Sequence, residues 1–141
     1  MIKILILLLV LFSTMQVNAQ TITYRVLLVS CYDGDTCTVN ITGIGKEWGF
    51  NRKVRLLDID TPELRGAACN KEKELAIIAR TTLLKLLANK KLTITLDKNK
   101  PRDNFGRLLV QLHADNVNIN KELLKLRVAK QYKPNINWCT L

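Results

Sequence analysis

From Thr21 to Val29 the chain is rich in Thr, Tyr, Val and Leu, and Thr36 to Thr42 repeats that character. Between the two lies Asp33-Gly34-Asp35, whose glycine can take the positive φ of a tight reversal, so the three segments predict a β-hairpin. A polar, glycine-bearing loop over 43–51 leads to a third strand, Lys53 to Ile59, which ends at Thr61-Pro62. Between Asn70 and Asn89 the period changes. Leu75, Ala79, Thr82, Leu83, Leu86 and Leu87 recur at steps of three and four, which puts them on one face of a helix. Leu92 to Leu96 returns to period two, and Leu108 to His113 forms a further strand after the turn-rich segment 98–106. Asn120 is placed to cap a last helix, Lys121 to Lys130, which stops before Pro134.

The resulting order is β-β-β-α-β-β-α. Five short strands with one helix between the third and fourth predict a mainly β, α+β chain: a partly open five-stranded barrel of the OB type. A mixed α+β sandwich is the other arrangement these elements allow.

The first residues change the picture of where the chain works. Lys3 precedes the apolar run 4–12, then Ser13-Thr14 and Val17-Asn18-Ala19: the layout of a signal peptide over residues 1–19, cut before Gln20. The run is short for a bilayer span. Residues 20–141 then form a single secreted domain, a monomer with no stable membrane association. The formal net charge of +10 suits a polyanionic partner such as nucleic acid, an acidic polysaccharide or an anionic surface, and equally serves solubility. Only 6% of residues are aromatic, which argues against binding that relies chiefly on base stacking. No strongly basic amphipathic helix with bulky aromatics supports action on membranes.

Charged residues concentrate at three strand ends or turns: Asp33-Gly34-Asp35-Thr36, Arg55 to Glu63, and Asp103-Asn104-Phe105-Gly106-Arg107. Singly, each has an ordinary structural reading as a hairpin turn, a strand exit with a helix cap, or a solvated strand start. Arg55, at even spacing from Leu57 and Ile59, shares their face and calls for an anionic partner.

Together and in this order, the three clusters closely resemble the signature of the staphylococcal nuclease (thermonuclease) family. The resemblance runs from about Tyr24 to Pro134, through Val117-Asn118-Ile119-Asn120 and the Tyr132-Lys133-Pro134 exit. It implies a calcium-dependent nuclease in which Asp35, Asp60 and the Thr61 carbonyl ligate Ca²⁺, leaving places for water and a phosphate oxygen. Asp33 matches a supporting carboxylate nearby. Glu63 matches the glutamate that activates or orients the attacking water, and Arg55 and Arg107 match the arginines that hold the scissile phosphate. The implied reaction is in-line hydrolysis of DNA or RNA with cleavage on the 5′-oxygen side, leaving 3′-phosphates. A non-catalytic OB module binding extracellular nucleic acid or another polyanion is the competing reading, and the presence of all five charged site residues speaks against it.

The chain departs from the family pattern in its grip on substrate. Phe105 stands where the archetype has a tyrosine, Asn104 replaces a basic residue, and Lys130 replaces a tyrosine that packs on the base, while Tyr132 keeps the second aromatic position. Lys98 and Lys100, in the basic loop before Phe105, are expected to add to binding. Trp48 and Phe50 either touch substrate or pack the hairpin, and His113 sits in a strand away from the clusters. Four cysteines allow three pairings. Cys31 and Cys37 lie equally far from Gly34, which predicts a bridge between them across the hairpin, leaving Cys69 to tie down Cys139 in the C-terminal tail.

Overall fold

The computed structural model describes residues 20–140; the predicted signal segment, 1–19, lies outside them. The elements are β1 (Thr21–Cys31), β2 (Thr36–Ile41), α1 (Lys46–Gly49), β3 (Arg52–Leu56), β4 (Ile59–Asp60), α2 (Asn70–Leu87), β5 (Leu92–Asp97), β6 (Leu108–Ala114), β7 (Val117–Asn118), α3 (Ile119–Lys125) and β8 (Lys130–Gln131). The sheet runs β3-β2-β1-β5-β6-β7, and β3 also pairs with β6, which closes the five long strands into a barrel. This is the OB-type α+β architecture expected, with the sandwich excluded by the closure. Every long pairing is antiparallel except β3–β6, where Val54, Arg55 and Leu56 run parallel to Leu108, Leu109 and Val110.

Period-two alternation fills the barrel. Val39 and Ile41 of β2, Val54 and Leu56 of β3, Ile94 and Leu96 of β5, and Leu108, Val110 and Leu112 of β6 are all buried. Ala76, Ala79, Leu83 and Leu87 of α2, with Ile119 and Leu123 of α3, are buried as well. Both disulfides form as expected, Cys31 with Cys37 and Cys69 with Cys139. Among the described residues no helix is long and apolar enough to cross a membrane.

Four local expectations are corrected. The third strand stops at Leu56, because Asp58 takes a left-handed φ of 63° and Leu57 N–H donates to the Val110 carbonyl at 2.9 Å. Strand parity does not carry across that turn, so Ile59 enters the core while Arg55, between buried Val54 and Leu56, faces outward. The last helix begins two residues early, at Ile119, and ends at Lys125. Its cap is Asn118, accepting from Lys121 N–H at 3.0 Å, whereas Asn120 is 2% exposed and ties the β6 backbone to the Leu57 carbonyl. Gly34 does not have positive φ; it is required because a Cβ there would lie 2.7 Å from Ala79 Cβ and 2.9 Å from Thr61 Cγ2. Trp48 and Phe50 remain 69% and 54% exposed and pack no core.

Candidate active site

The closed end of the barrel brings two of the charged clusters together through backbone contacts. Leu56 N–H, at the end of β3, donates to the Asp35 carbonyl at 2.8 Å, so the β1–β2 turn is locked onto β3. Within the turn Asp33 Oδ1 accepts from the N–H groups of Asp35 at 3.1 Å and Thr36 at 2.8 Å, an Asx-type closure. Asp35 then points into the site. Its Oδ2 accepts from Thr61 N–H at 2.9 Å and from Arg55 Nη1 at 2.9 Å, and its Oδ1 accepts from Thr36 Oγ1 at 3.0 Å. Arg55 Nη2 reaches Asp60 Oδ1 at 3.0 Å, so one guanidinium holds two carboxylates from elements 25 residues apart in sequence. Arg55 thus has the anionic partners its position calls for, and its side chain is 12% exposed beside the groove.

The third cluster arrives through β6. Asp103 Oδ1 accepts from the N–H groups of Phe105 and Arg107, both at 2.9 Å, and its Oδ2 takes Arg107 Nε at 2.7 Å. Arg107 Nη1 meets Thr36 Oγ1 at 3.3 Å. Thr36 therefore joins Asp35 to Arg107.

Burial and crowding of like charge set the electrostatics. Asp33 is pushed up to about 7, first by burial and then by the neighbouring Asp35 charge. Asp60 and Glu63 are both raised from the usual carboxylate range by burial and then by Asp35, with Arg55 opposing. A cation would relieve these repulsions. Thr61 Oγ1 is buried with no hydrogen-bond partner, and the donors around it, Asp35 and Asp60, are oxygens. That donor set suits a hard divalent cation that keeps part of its water, although among the described residues no three acidic, cysteine or histidine side chains converge on one point.

Two grooves meet at Arg55 and Arg107, which line both. One, of about 460 Å³, is bordered by Lys100, Phe105 and Tyr132, together with Arg102. The other, of about 580 Å³, holds Asp33, Asp35 and Glu63 and continues to Tyr32, Lys53, Arg65 and Arg80. Phe105 is 84% exposed and Tyr132 60% exposed. Lys98 borders neither groove; its backbone N–H donates to the Gln20 carbonyl instead. His113 sits in β6 opposite Thr93, away from both.

Sequence reasoning missed several residues. Glu72, in the first turn of α2, is 7% exposed and accepts from the N–H groups of Glu63 at 3.2 Å and Ala68 at 2.7 Å, fixing the loop that carries Glu63. Arg80, one exposed-looking helix position, turns its Nε onto the Cys31 carbonyl at 2.8 Å. The buried Trp138 side chain partly offsets the rise of the Asp60 pKa, and the Cys69–Cys139 bridge next to it ties that tail to the start of α2. No residue pattern signals these contacts: Arg80 and Trp138 meet segments far away in the chain, and Glu72 turns back onto the irregular loop before its own helix.

A family model described as "Staphylococcal nuclease homologue" matches residues 53–138. Similar proteins include an uncharacterized protein of Methanocaldococcus jannaschii, 33% identical over 128 residues, covering 77% of this chain and 59% of that protein. Two from Bacillus subtilis carry functional names. Endonuclease YncB is 32% identical over 127 residues, covering 81% of this chain and 52% of its own. The SPbeta prophage-derived endonuclease YokF is 33% identical over 126 residues, covering 80% and 37% respectively. The chain thus spans about half the length of the curated relatives it matches.

Proposed function

Because the chain belongs to the staphylococcal nuclease family, we propose that it is a secreted, calcium-dependent nuclease that hydrolyses phosphodiester bonds of DNA or RNA and leaves 3′-phosphates. The observation that carries the proposal is the placement of Arg55 and Arg107 on the ridge shared by the two grooves, beside Asp35, Asp60 and Glu63. A phosphodiester lying across that ridge would meet two guanidiniums, each able to donate paired hydrogen bonds to phosphate oxygens. Both stay charged at any working pH, so they offset the charge that grows as phosphorus becomes five-coordinate. Glu63, on the loop fixed by Glu72, would take a proton from the attacking water or orient it, and its raised pKa brings it nearer the range of an effective base. Asp35, Asp60 and the Thr61 carbonyl would hold the ion, with Asp33 supporting the turn. When bound, Ca²⁺ supplies Lewis-acid polarisation of a phosphate oxygen.

Phe105, Tyr132 and Lys100 line the groove that would hold the nucleotide on one side of the scissile phosphate. Lys98 stands outside that groove and would contribute only to the general positive field. The two disulfides and the signal-like segment favour an oxidising compartment outside the cytoplasm. Digestion of plasmid DNA and of RNA by residues 20–141, with calcium or with chelator, tests the proposal. Calcium-dependent degradation with 3′-phosphate ends is expected. Degradation in chelator would remove the metal assignment, and binding without cleavage under any condition would leave a polyanion-binding module.

A further inference from the structure

A polynucleotide held at Arg55 and Arg107 has to leave the site on both sides, and only the Phe105–Tyr132 groove has been given a nucleotide. The second groove continues outward along the β2–β3 ladder. Thr36 pairs with Arg55 and Thr38 with Lys53, and all four side chains line the groove, so the second rung repeats the first one step farther out. Lys53 and Arg55 share a strand face about 6.6 Å apart from the rise per residue. At the groove wall the Arg65 guanidinium lies over the Tyr32 ring, 5.3 Å from its centroid, and Tyr32 is still 41% exposed. Among the described residues no carboxylate forms an ion pair with Lys53, Arg65 or Arg80. Arg80 spends its Nε on the Cys31 carbonyl, which anchors it while leaving its terminal nitrogens for another acceptor.

We propose that this groove is a second nucleotide subsite, in which Lys53 and Arg80 take the phosphate next to the scissile one and the Tyr32–Arg65 stack receives the adjoining base. The inference rests on the nuclease reading for its substrate. Lys53 on β3 and Arg80 on α2, neither ion-paired to a carboxylate among the described residues, suit the next phosphate of a polynucleotide backbone, and a tyrosine already stacked with a guanidinium offers a planar surface to which a base adds without sequence preference. Tyr32 adjoins Asp33, so the base seated there would be the one nearest the carboxylate side of the site.

The test is an abasic scan of a single-stranded oligonucleotide with one cleavage point, on the wild type and on Tyr32→Ala, Arg65→Ala, Tyr32→Phe and Phe105→Ala, paired with fluorescence-anisotropy binding of the same oligonucleotide in chelator. Tyr32→Ala and Arg65→Ala should each raise KM by roughly tenfold, with kcat little changed and Tyr32→Phe close to wild type. The loss should be non-additive with an abasic residue at one position flanking the cleaved bond, and Phe105→Ala non-additive with the flank on the opposite side. Coupling of Tyr32 and Phe105 to the same position, or an unchanged KM in Tyr32→Ala, overturns the subsite. If the wild type cleaves nothing, the nuclease reading falls, and the subsite is then judged by binding in chelator: a roughly tenfold weaker Tyr32→Ala with intact Tyr32→Phe supports it, and equal affinities overturn it.

Discussion

The carboxylate turn and the loop that carries Phe105 sit on either side of the same two arginines, yet they are built differently. Asp33 and Asp35 are 4% and 3% exposed, and Asp35 alone accepts from Thr61, Arg55 and Thr36. The segment 98–106 is mostly exposed, and its turn is held by the side chains of Asp103 and Arg102. On the proposed reading, the groups whose position would decide chemistry are thus fixed by burial and crossed hydrogen bonds, whereas groups that would grip a flexible polymer stand on an exposed turn. The family's usual residues are kept in the buried turn and altered in the exposed one, at Asn104 and Phe105, as well as at half-buried Lys130 of β8. A buried carboxylate with three partners cannot be exchanged without orphaning them, and an exposed ring can.

The largest effect is expected where the buried side meets the reacting phosphate. Glu63→Gln, Arg55→Ala and Arg107→Ala should each lower kcat by roughly 10²–10⁴-fold with the circular dichroism spectrum retained, while Lys98→Ala changes only affinity and its salt dependence. Near-normal turnover of Glu63→Gln, or a kcat loss in Lys98→Ala equal to that of the arginine variants, would dissolve the distinction between chemistry and grip.

Next in size is the tether of the C-terminal tail. Replacing Cys69 and Cys139 by serine should cost about 2–5 kcal/mol in chemical denaturation, because the bridge closes 70 residues of chain. Activity at low temperature should fall less, through Trp138 and its contact to Asp60. An unchanged denaturation midpoint would show the tail to be held by β4–β8 pairing alone.

Gly34→Ala probes the buried turn from inside. The added methyl would press on the Ala79 and Thr61 side chains, so a loss of about 1–3 kcal/mol is expected, together with weaker calcium binding by calorimetry. The equivalent change in the exposed loop, Asn104→Ala, should leave stability within about 0.5 kcal/mol.

The smallest effect tests the exposed turn by pH. Burial raises the Asp103 carboxyl, but its bonds to Arg107 and the turn N–H groups together outweigh that and hold it below the usual 3.8. Its folded pKa being depressed, its contribution is present above the unfolded pKa and is lost as pH falls through the folded one. The melting-temperature difference between wild type and Asp103→Asn should therefore be constant from pH 7 down to near 4 and shrink below it. A difference that instead grows on acidification would reverse the assigned direction.

Much of this protein could be read from local pattern. Period-two and period-three-to-four spacing located the five long strands and α2, because in each the buried face repeats at the period of the element itself. The three charged clusters named Asp35, Arg55, Asp60, Glu63 and Arg107, and the symmetry of Cys31 and Cys37 about Gly34 foretold their bridge. Where reading by pattern failed, a distant contact had overruled it. Strand parity carried past Leu56 because nothing local announces the left-handed Asp58, which the β6 backbone and Asn120 hold in place. Asn118 and Asn120 are equally good caps by residue type, and only the packing of Asn120 between β6 and Leu57 assigns them.

By itself, then, the order of residues determined which segments are strands and helices, since that follows from neighbours a few positions apart, and its resemblance to the family nominated the side chains proposed to bear the chemistry. Only the tertiary structure decided that β3 and β6 close the barrel in parallel, that Glu72 turns inward to set the Glu63 loop, and that Tyr32 and Arg65 stack at the edge of a second groove. None of these contacts follows the period of a strand or helix, and their energy depends on a geometry that exists only once the barrel has closed.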